Sequence, residues 1–243
     1  MRIARFSRGD GVAYGIVEGE DETALVIAEL HGHPFGVDPG GVRLTGRTYP
    51  LAEVRLLAPV LPSKVIGVLS AADEPVLFLK PSTAVTGPAD VIRYPVKLAE
   101  RVGFSGELAV VIGRLCRQVP RERADEVVFG YTCANDVTAA GLDVTRAKGF
   151  DTFCPLGPWM ETGALPADIG ITTTVNGAPR TSSRLTWNVP ALISVVSEVM
   201  TLLPGDVLLT GSPADGGLLS VGDEVAVTID GIGTLTSKVV MSD

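Results

Sequence analysis

The spacing of apolar residues along the chain predicts many short strands and few helices. Three runs near the start, MRIARFS, VAYGIVEG and ALVIAEL, have strand-like lengths and are separated by GDG and GEDE, which suit turns. A Gly/Pro-rich loop, HGHPFGVDPGG, then leads to TYPLAEVRLLAPV, and LPSKVIGVL opens a second part of the chain as a short apolar strand. PVLFLKPSTAVTGPAD reads as a strand followed by an irregular loop presenting Lys80. In FSGELAVVIG, Glu107, Ala109 and Val111 fall on one face, and Leu108, Val110 and Ile112 on the other.

The remaining pattern is similar. PRERADEVVFGY predicts a short helix with Val127 and Val128 inward, and YTCANDVTAAG a strand ending at Asn135-Asp136. Asn176-Gly177 marks a hairpin turn between β-branched strands. WNVPALISVVSEVMTLL predicts the one longer helix, opened by Asn188 and Pro190, with Leu192, Val195 or Val196, Val199 and Leu203 as its buried stripe. LPGDVLLTGSP, DEVAVTID and GTLTSKVV close the chain as strands. The expectation is a mixed, β-rich α+β fold with a small N-terminal β-rich domain over residues 1–58 and a main domain over 59–243.

Composition narrows the function classes. The 243 residues are 46% hydrophobic but only 5% aromatic, so the core is built from Val, Leu, Ile and Ala. A net charge of −8 without Lys/Arg clusters argues against nucleic acid as a partner. No apolar run approaches a membrane span, and the polar, Gly-containing start predicts no signal peptide. Three cysteines without a CxxC pair fit free thiols in a reducing, cytoplasmic setting. Phosphate-cradling glycine motifs are absent, so no nucleotide cofactor is expected.

The histidine count excludes more. Both histidines, His31 and His33, lie near the N-terminus, so acid-base work in the main domain falls to Asp, Glu, Lys, Tyr or Cys. From the residues alone, Glu107 has two readings: a strand-end carboxylate reaching solvent, or half of a metal-binding pair.

Taken in order, VLFLKPSTAVTGP, GELAVVIGR, GYTCANDVTA, TRAKGFDTFCPLGPW, VNGAPR, MTLLPGDVLLTGSPA and IDGIGTLTSKVV closely resemble the fumarylacetoacetate hydrolase superfamily, near its bacterial 2-hydroxyhepta-2,4-diene-1,7-dioate isomerase and oxo-acid decarboxylase-like branch. The resemblance implies a β-roll core, a homodimer (or pairing with a paralogue), and a small-molecule substrate of the 2-oxo acid or 1,3-dicarbonyl type. It also implies Mg²⁺ or Mn²⁺ held by carboxylates. Glu107 matches the second residue of the family's Glu-x-Glu pair, Ser105 replaces the first, and Asp136 matches a further ligand. Lys148 and Thr152 match the AK-x-x-x-T element, and Ser212 keeps a hydroxyl in a Gly211-Ser212-Pro213 turn.

The departures concentrate on the chemistry. The family's His-Glu helix after the first main-domain strand is missing, and its NDxSARD arginine and aspartate are Ala140 and Gly141. Glu107 and Asp136 are then expected to hold Mg²⁺ weakly or not at all, and hydrolysis to be impaired. The leading expectation is a repurposed enzyme catalysing isomerisation or cyclisation, with a place in specialised-metabolite biosynthesis. Glu107, Asp136 and Lys148 are its catalytic candidates; Lys80, Thr152, Ser212 and Ser105 are its substrate-binding candidates. A conventional Mg²⁺-dependent decarboxylase or C–C hydrolase and a non-catalytic partner subunit are the alternatives.

Overall fold

The structure is a computed structural model that describes residues 1–9, 11–19, 24–35, 41–70, 75–164, 168–184, 188–212 and 216–242. Parts of the turns expected at GDG and GEDE, of the HGHPFGVDPGG loop, and Pro213 lie outside the described residues. The first part of the chain folds as β1 (Arg2–Arg8), β2 (Gly11–Glu18), β3 (Val26–Leu30), β4 (Leu44–Pro50) and β5 (Arg55–Leu57). There follow β6 (Lys64–Ser70), β7 (Val76–Pro81), β8 (Val85–Thr86), β9 (Val91–Tyr94), β10 (Arg101–Gly103) and β11 (Gly106–Ile112). Next are β12 (Val128–Asn135), β13 (Thr138–Ala140), α1 (Val144–Gly149), β14 (Cys154–Glu161), β15 (Gly170–Val175) and β16 (Ala178–Arg184). The chain ends with α2 (Val189–Val199), β17 (Val207–Leu209), β18 (Glu224–Ile229) and β19 (Gly233–Met241).

These strands make a mixed, β-rich fold. A large sheet runs in the order β4-β3-β2-β1-β14-β12-β11-β17-β6-β7, with β5 added on β1 and β8 on β14. A second sheet runs β16-β15-β18-β19-β9, and β10 and β13 form a two-stranded ribbon. The N-terminal strands join the large sheet where β1 pairs with β14, Ile3 opposite Met160. Their own core cluster, with Phe6, Val17 and Ile27, is completed by Trp159 of β14.

β11 is the central strand of the main part, and every residue in it is buried. Leu108, Val110 and Ile112 pack with Ile171, Val227 and Ile229 of the second sheet and with Leu192, Ile193 and Val196 of α2. Ala109 and Val111 face the opposite core with Val65, Leu156 and Leu209. The period-2 alternation of the sequence is therefore realised with both faces covered, which fixes the strand's register. The Asn176-Gly177 hairpin also forms as expected: both residues have positive φ, at 52° and 75°, as a two-residue turn between twisted strands requires.

Two local expectations are corrected. PRERADEV folds as a 3₁₀ helix over Arg121–Glu126 that buries Ala124, and Val128 already belongs to β12. α2 stops at Val199, which is 64% exposed, and its buried face is Val189, Leu192, Ile193 and Val196. Leu202 leaves the helix because its backbone bridges to Cys116, and Pro204 disfavours helical geometry at the preceding residue. All three cysteines are free. Among the described residues, no helix is long and apolar enough to cross a membrane.

Candidate active site

The site is assembled where the two central strands end together. Glu107 is the second residue of β11 and lies opposite Ala134 of β12. Asp136 follows β12 directly, and its backbone N–H donates to the Ser105 carbonyl at 2.8 Å. This bond fixes the Ser105–Glu107 segment beside Asp136. Helix α1, capped where Asp143 accepts the Arg146 N–H, delivers Lys148 to the same place.

Asp136 lies between two ammonium groups. Lys148 Nζ donates to its Oδ2 and to Thr138 Oγ1, the latter at 2.8 Å. Lys80 Nζ stands 2.8 Å from its Oδ1. The same Nζ also donates to the Val137 and Phe153 carbonyls at 2.7 and 2.8 Å. The Lys148 ammonium additionally sits 4.4 Å from the centre of the Phe78 ring, a cation–π contact that holds the side chain in place. Gly67, directly across from Phe78 on β6, makes room for that ring: a Cβ there would come within 2.2 Å of it.

Glu107 is the unusual member. It is only 3% exposed, so the solvent-facing reading of this carboxylate is wrong. Its Oε2 accepts the Gly211 N–H at 2.8 Å. Burial, and then the neighbouring charge of Asp136, push its carboxyl up to about 8, against the opposing pull of the Gly211 N–H and the two lysines. A carboxyl of this kind exchanges a proton near neutral pH.

Above these groups lies a cavity of about 480 Å³. Glu107, Asp136 and Lys148 form its buried base, Ser105, Thr138 and Ser212 add hydroxyls, and Arg101, Leu69 and Leu218 line its exposed mouth. Ser105, Glu107, Asp136, Lys148 and Ser212 are thus brought together as expected. Two candidates are not. Lys80 is 0% exposed and spends its ammonium on Asp136 and backbone carbonyls, so it supports the site from beneath instead of binding substrate. Thr152 does not line the cavity either: its hydroxyl accepts the Arg93 N–H, and its positive φ of 70° shapes the turn that aims the Phe153 carbonyl at Lys80. Sequence reasoning missed Arg101, Thr138 and Phe78. The alternation in Arg101-Val102-Gly103 was the available signal for the first.

Whether these side chains suit a divalent cation is decided by the donors. Among the described residues, no group of three His, Cys, Asp or Glu could hold a metal. Both oxygens of Asp136 already face ammonium groups, one oxygen of Glu107 takes a backbone N–H, and the third carboxylate position is Ser105. Mg²⁺ binds through carboxylates that are free to ligate it. The described residues do not fit a tightly held cation.

The sequence matches the family model for the fumarylacetoacetate hydrolase C-terminal domain over residues 62–240. The chain belongs to the fumarylacetoacetate hydrolase superfamily. Residues 1–59 match a second model, the Rv2993c-like N-terminal domain. This superfamily member is similar to a crystal structure of 5-carboxymethyl-2-hydroxymuconate delta-isomerase from Mycobacterium smegmatis, with 48% identity, full coverage of both chains and a TM-score of 0.92. It is also similar to 2-hydroxyhepta-2,4-diene-1,7-dioate isomerase from Mycobacterium marinum, with 47% identity, coverage of 100% and 99%, and a TM-score of 0.93. Oxaloacetate tautomerase YisK from Bacillus subtilis is 35% identical over 79% of this chain and 75% of that protein. The superfamily assignment and the isomerase-type kinship expected from the sequence therefore stand.

Proposed function

We propose that this chain is an isomerase that moves a proton between carbon and oxygen of a 2-oxo or enol dicarboxylate, with weak or no dependence on metal. The observation that carries the reading is a buried carboxyl, Glu107, set beside the Lys148–Asp136 pair at the base of a cavity whose described lining holds no histidine, with burial raising its proton affinity. The carboxylate of Glu107 takes the proton from the carbon next to the carbonyl, and the electron pair moves into a carbon–carbon double bond. The oxygen that gains negative charge faces the Lys148 ammonium, which is held by Asp136, Thr138 and Phe78, and is protonated there. Glu107 then returns its proton to the pair through a water in the cavity. Ser105 and Ser212 offer hydroxyls to the substrate carboxylate.

Hydrolysis asks for a base that activates water, and the sequence between β6 and β7, which pair antiparallel, is too short to hold the family's His-Glu helix and contains no histidine. Proton transfer is favoured over ring closure because a carboxyl raised to about 8 keeps both protonation states within reach and serves as acid and base in turn. The names of the relatives support the same class, since each describes an isomerase or tautomerase of a multiply carboxylated acid. We also propose that the chain works as a homodimer. Exposed Leu79 and Leu98, beside Pro81 and Phe150, form an apolar groove suited to a second copy.

The test is ultraviolet measurement of keto–enol exchange of oxaloacetate with metal-stripped protein. Wild type should accelerate exchange, and Glu107→Gln should lose about 10²- to 10⁴-fold, the usual share of a positioned acid-base group. An unaffected Glu107→Gln protein would remove the mechanism.

A further inference from the structure

The cavity mouth contains a cation that the proposed proton transfer does not use. β10 and β13 pair antiparallel, with Arg101 directly opposite Ala140 and Gly103 opposite Thr138. Between these two rungs, Val102 and Ala139 are both fully buried and join the core on one side of the ribbon. Side chains alternate along a strand, so Arg101, Gly103, Thr138 and Ala140 share the other side. All four line the cavity. Of the two cations among the described residues that line the cavity, Lys148 is committed to Asp136 and Thr138. Arg101 is exposed and pairs with no carboxylate among the described residues.

The spacing gives this guanidinium a task. Thr138, on one rung, accepts a hydrogen bond from the Lys148 ammonium, the group to which the proposed function assigns the reacting oxygen. The Arg101–Ala140 rung lies two residues along the ribbon, about 7 Å away. Ala140 contributes only a methyl group, so the space opposite is left to the longer side chain. We propose that Arg101 is the specificity-determining residue of this site, binding the distal carboxylate of a short dicarboxylate whose oxo end lies at Lys148. The guanidinium fork matches a carboxylate through two parallel N–H···O bonds. Position 140 is where the superfamily pattern has its arginine, so here the cation reaches the cavity from the partner strand. The assignment rests on the proposed function for its substrate class.

Binding can be measured without turnover. Calorimetry with malate and with lactate compares two 2-hydroxy acids that differ by the distal carboxylate. Wild type should bind malate about 10- to 100-fold more tightly, the range for charge-assisted bonds. Arg101→Ala should bring the ratio close to one, and the double variant Arg101→Ala/Ala140→Arg should recover it from the opposite strand. Arg101 is exposed, so these changes leave the core intact. A wild type that does not prefer malate, or an Arg101→Ala protein that still does, overturns the assignment. Arg101-dependent malate binding without oxaloacetate exchange would leave the assignment standing and defeat the proposed reaction; exchange without Arg101 dependence would do the reverse.

Discussion

Replacing Lys80 with Met tests whether the charges beneath the cavity hold the fold as well as the site. The ammonium is fully buried and ties together four points of the chain: the Asp136 carboxylate and the carbonyls of Val137, Phe153 and, more loosely at 3.4 Å, Lys148. Methionine matches the stem of lysine but offers no donor. Removing one member of a buried ion pair costs about 3–5 kcal/mol, because its partner is left uncompensated. Lys148 still neutralises Asp136, which places the loss of charge near the lower end. The stranded carbonyls of Val137 and Phe153 add about 1–3 kcal/mol each unless water reaches them. A total near 5 kcal/mol is a large part of the roughly 5–15 kcal/mol that holds a domain together. At about 2–4 °C per kcal/mol for a chain of this size, the melting temperature should fall by roughly 10–20 °C. Calorimetric melting at pH 7 reads this directly, with Lys97→Met as the control for a lysine on the surface. A Lys80→Met protein that melts within about 3 °C of wild type would refute the reasoning.

Glu107 makes a prediction in pH. Its carboxyl is raised from an unfolded value of about 4.3 to about 8. Between those values the folded state holds the extra proton, so this residue's contribution is complete at low pH and is lost as pH rises through 8. Urea titrations from pH 5 to 9 should show stability falling with pH in wild type, and a flatter profile in Glu107→Gln; parallel profiles would contradict the burial argument. Ser105→Glu supplies the carboxylate that the donor set lacks. It should gain a calorimetric Mg²⁺ signal at least about tenfold tighter than wild type and a melting temperature that climbs with added Mg²⁺. Equal binding by the two proteins would show that the donor count is not what limits the cation.

The parts of the molecule legible in sequence are those set by local periodicity. The alternation in GELAVVIG placed Leu108, Val110 and Ile112 on one face and Ala109 and Val111 on the other, and packing follows it. Asn176-Gly177 encoded its turn because only a few residue types tolerate the required φ. Contacts between distant segments could not be read in this way. α2 ends early because Leu202 meets Cys116, more than eighty positions back in the chain. Lys80 was placed on a presenting loop because a lysine is seldom buried, and its four partners come from a single stretch of chain, residues 136–153, about sixty positions downstream. Arg101 escaped notice since its meaning depends on which residue lies across the ribbon. The family pattern supplied what periodicity could not, namely that Glu107, Asp136 and Lys148 converge.

The complete burial of β11 carries a consequence for divergence. A strand packed on both faces cannot shift or change register to suit a new ligand, so its carboxyl is delivered to one point in space whatever the substrate. Novelty must enter from parts outside that strand, the cavity-facing side of the two-stranded ribbon foremost. A lineage built on this plan would keep one proton-handling base and trade mouths around it, and relatives with different substrates should differ most at the cavity-facing positions of the ribbon, whose other side stays in the core.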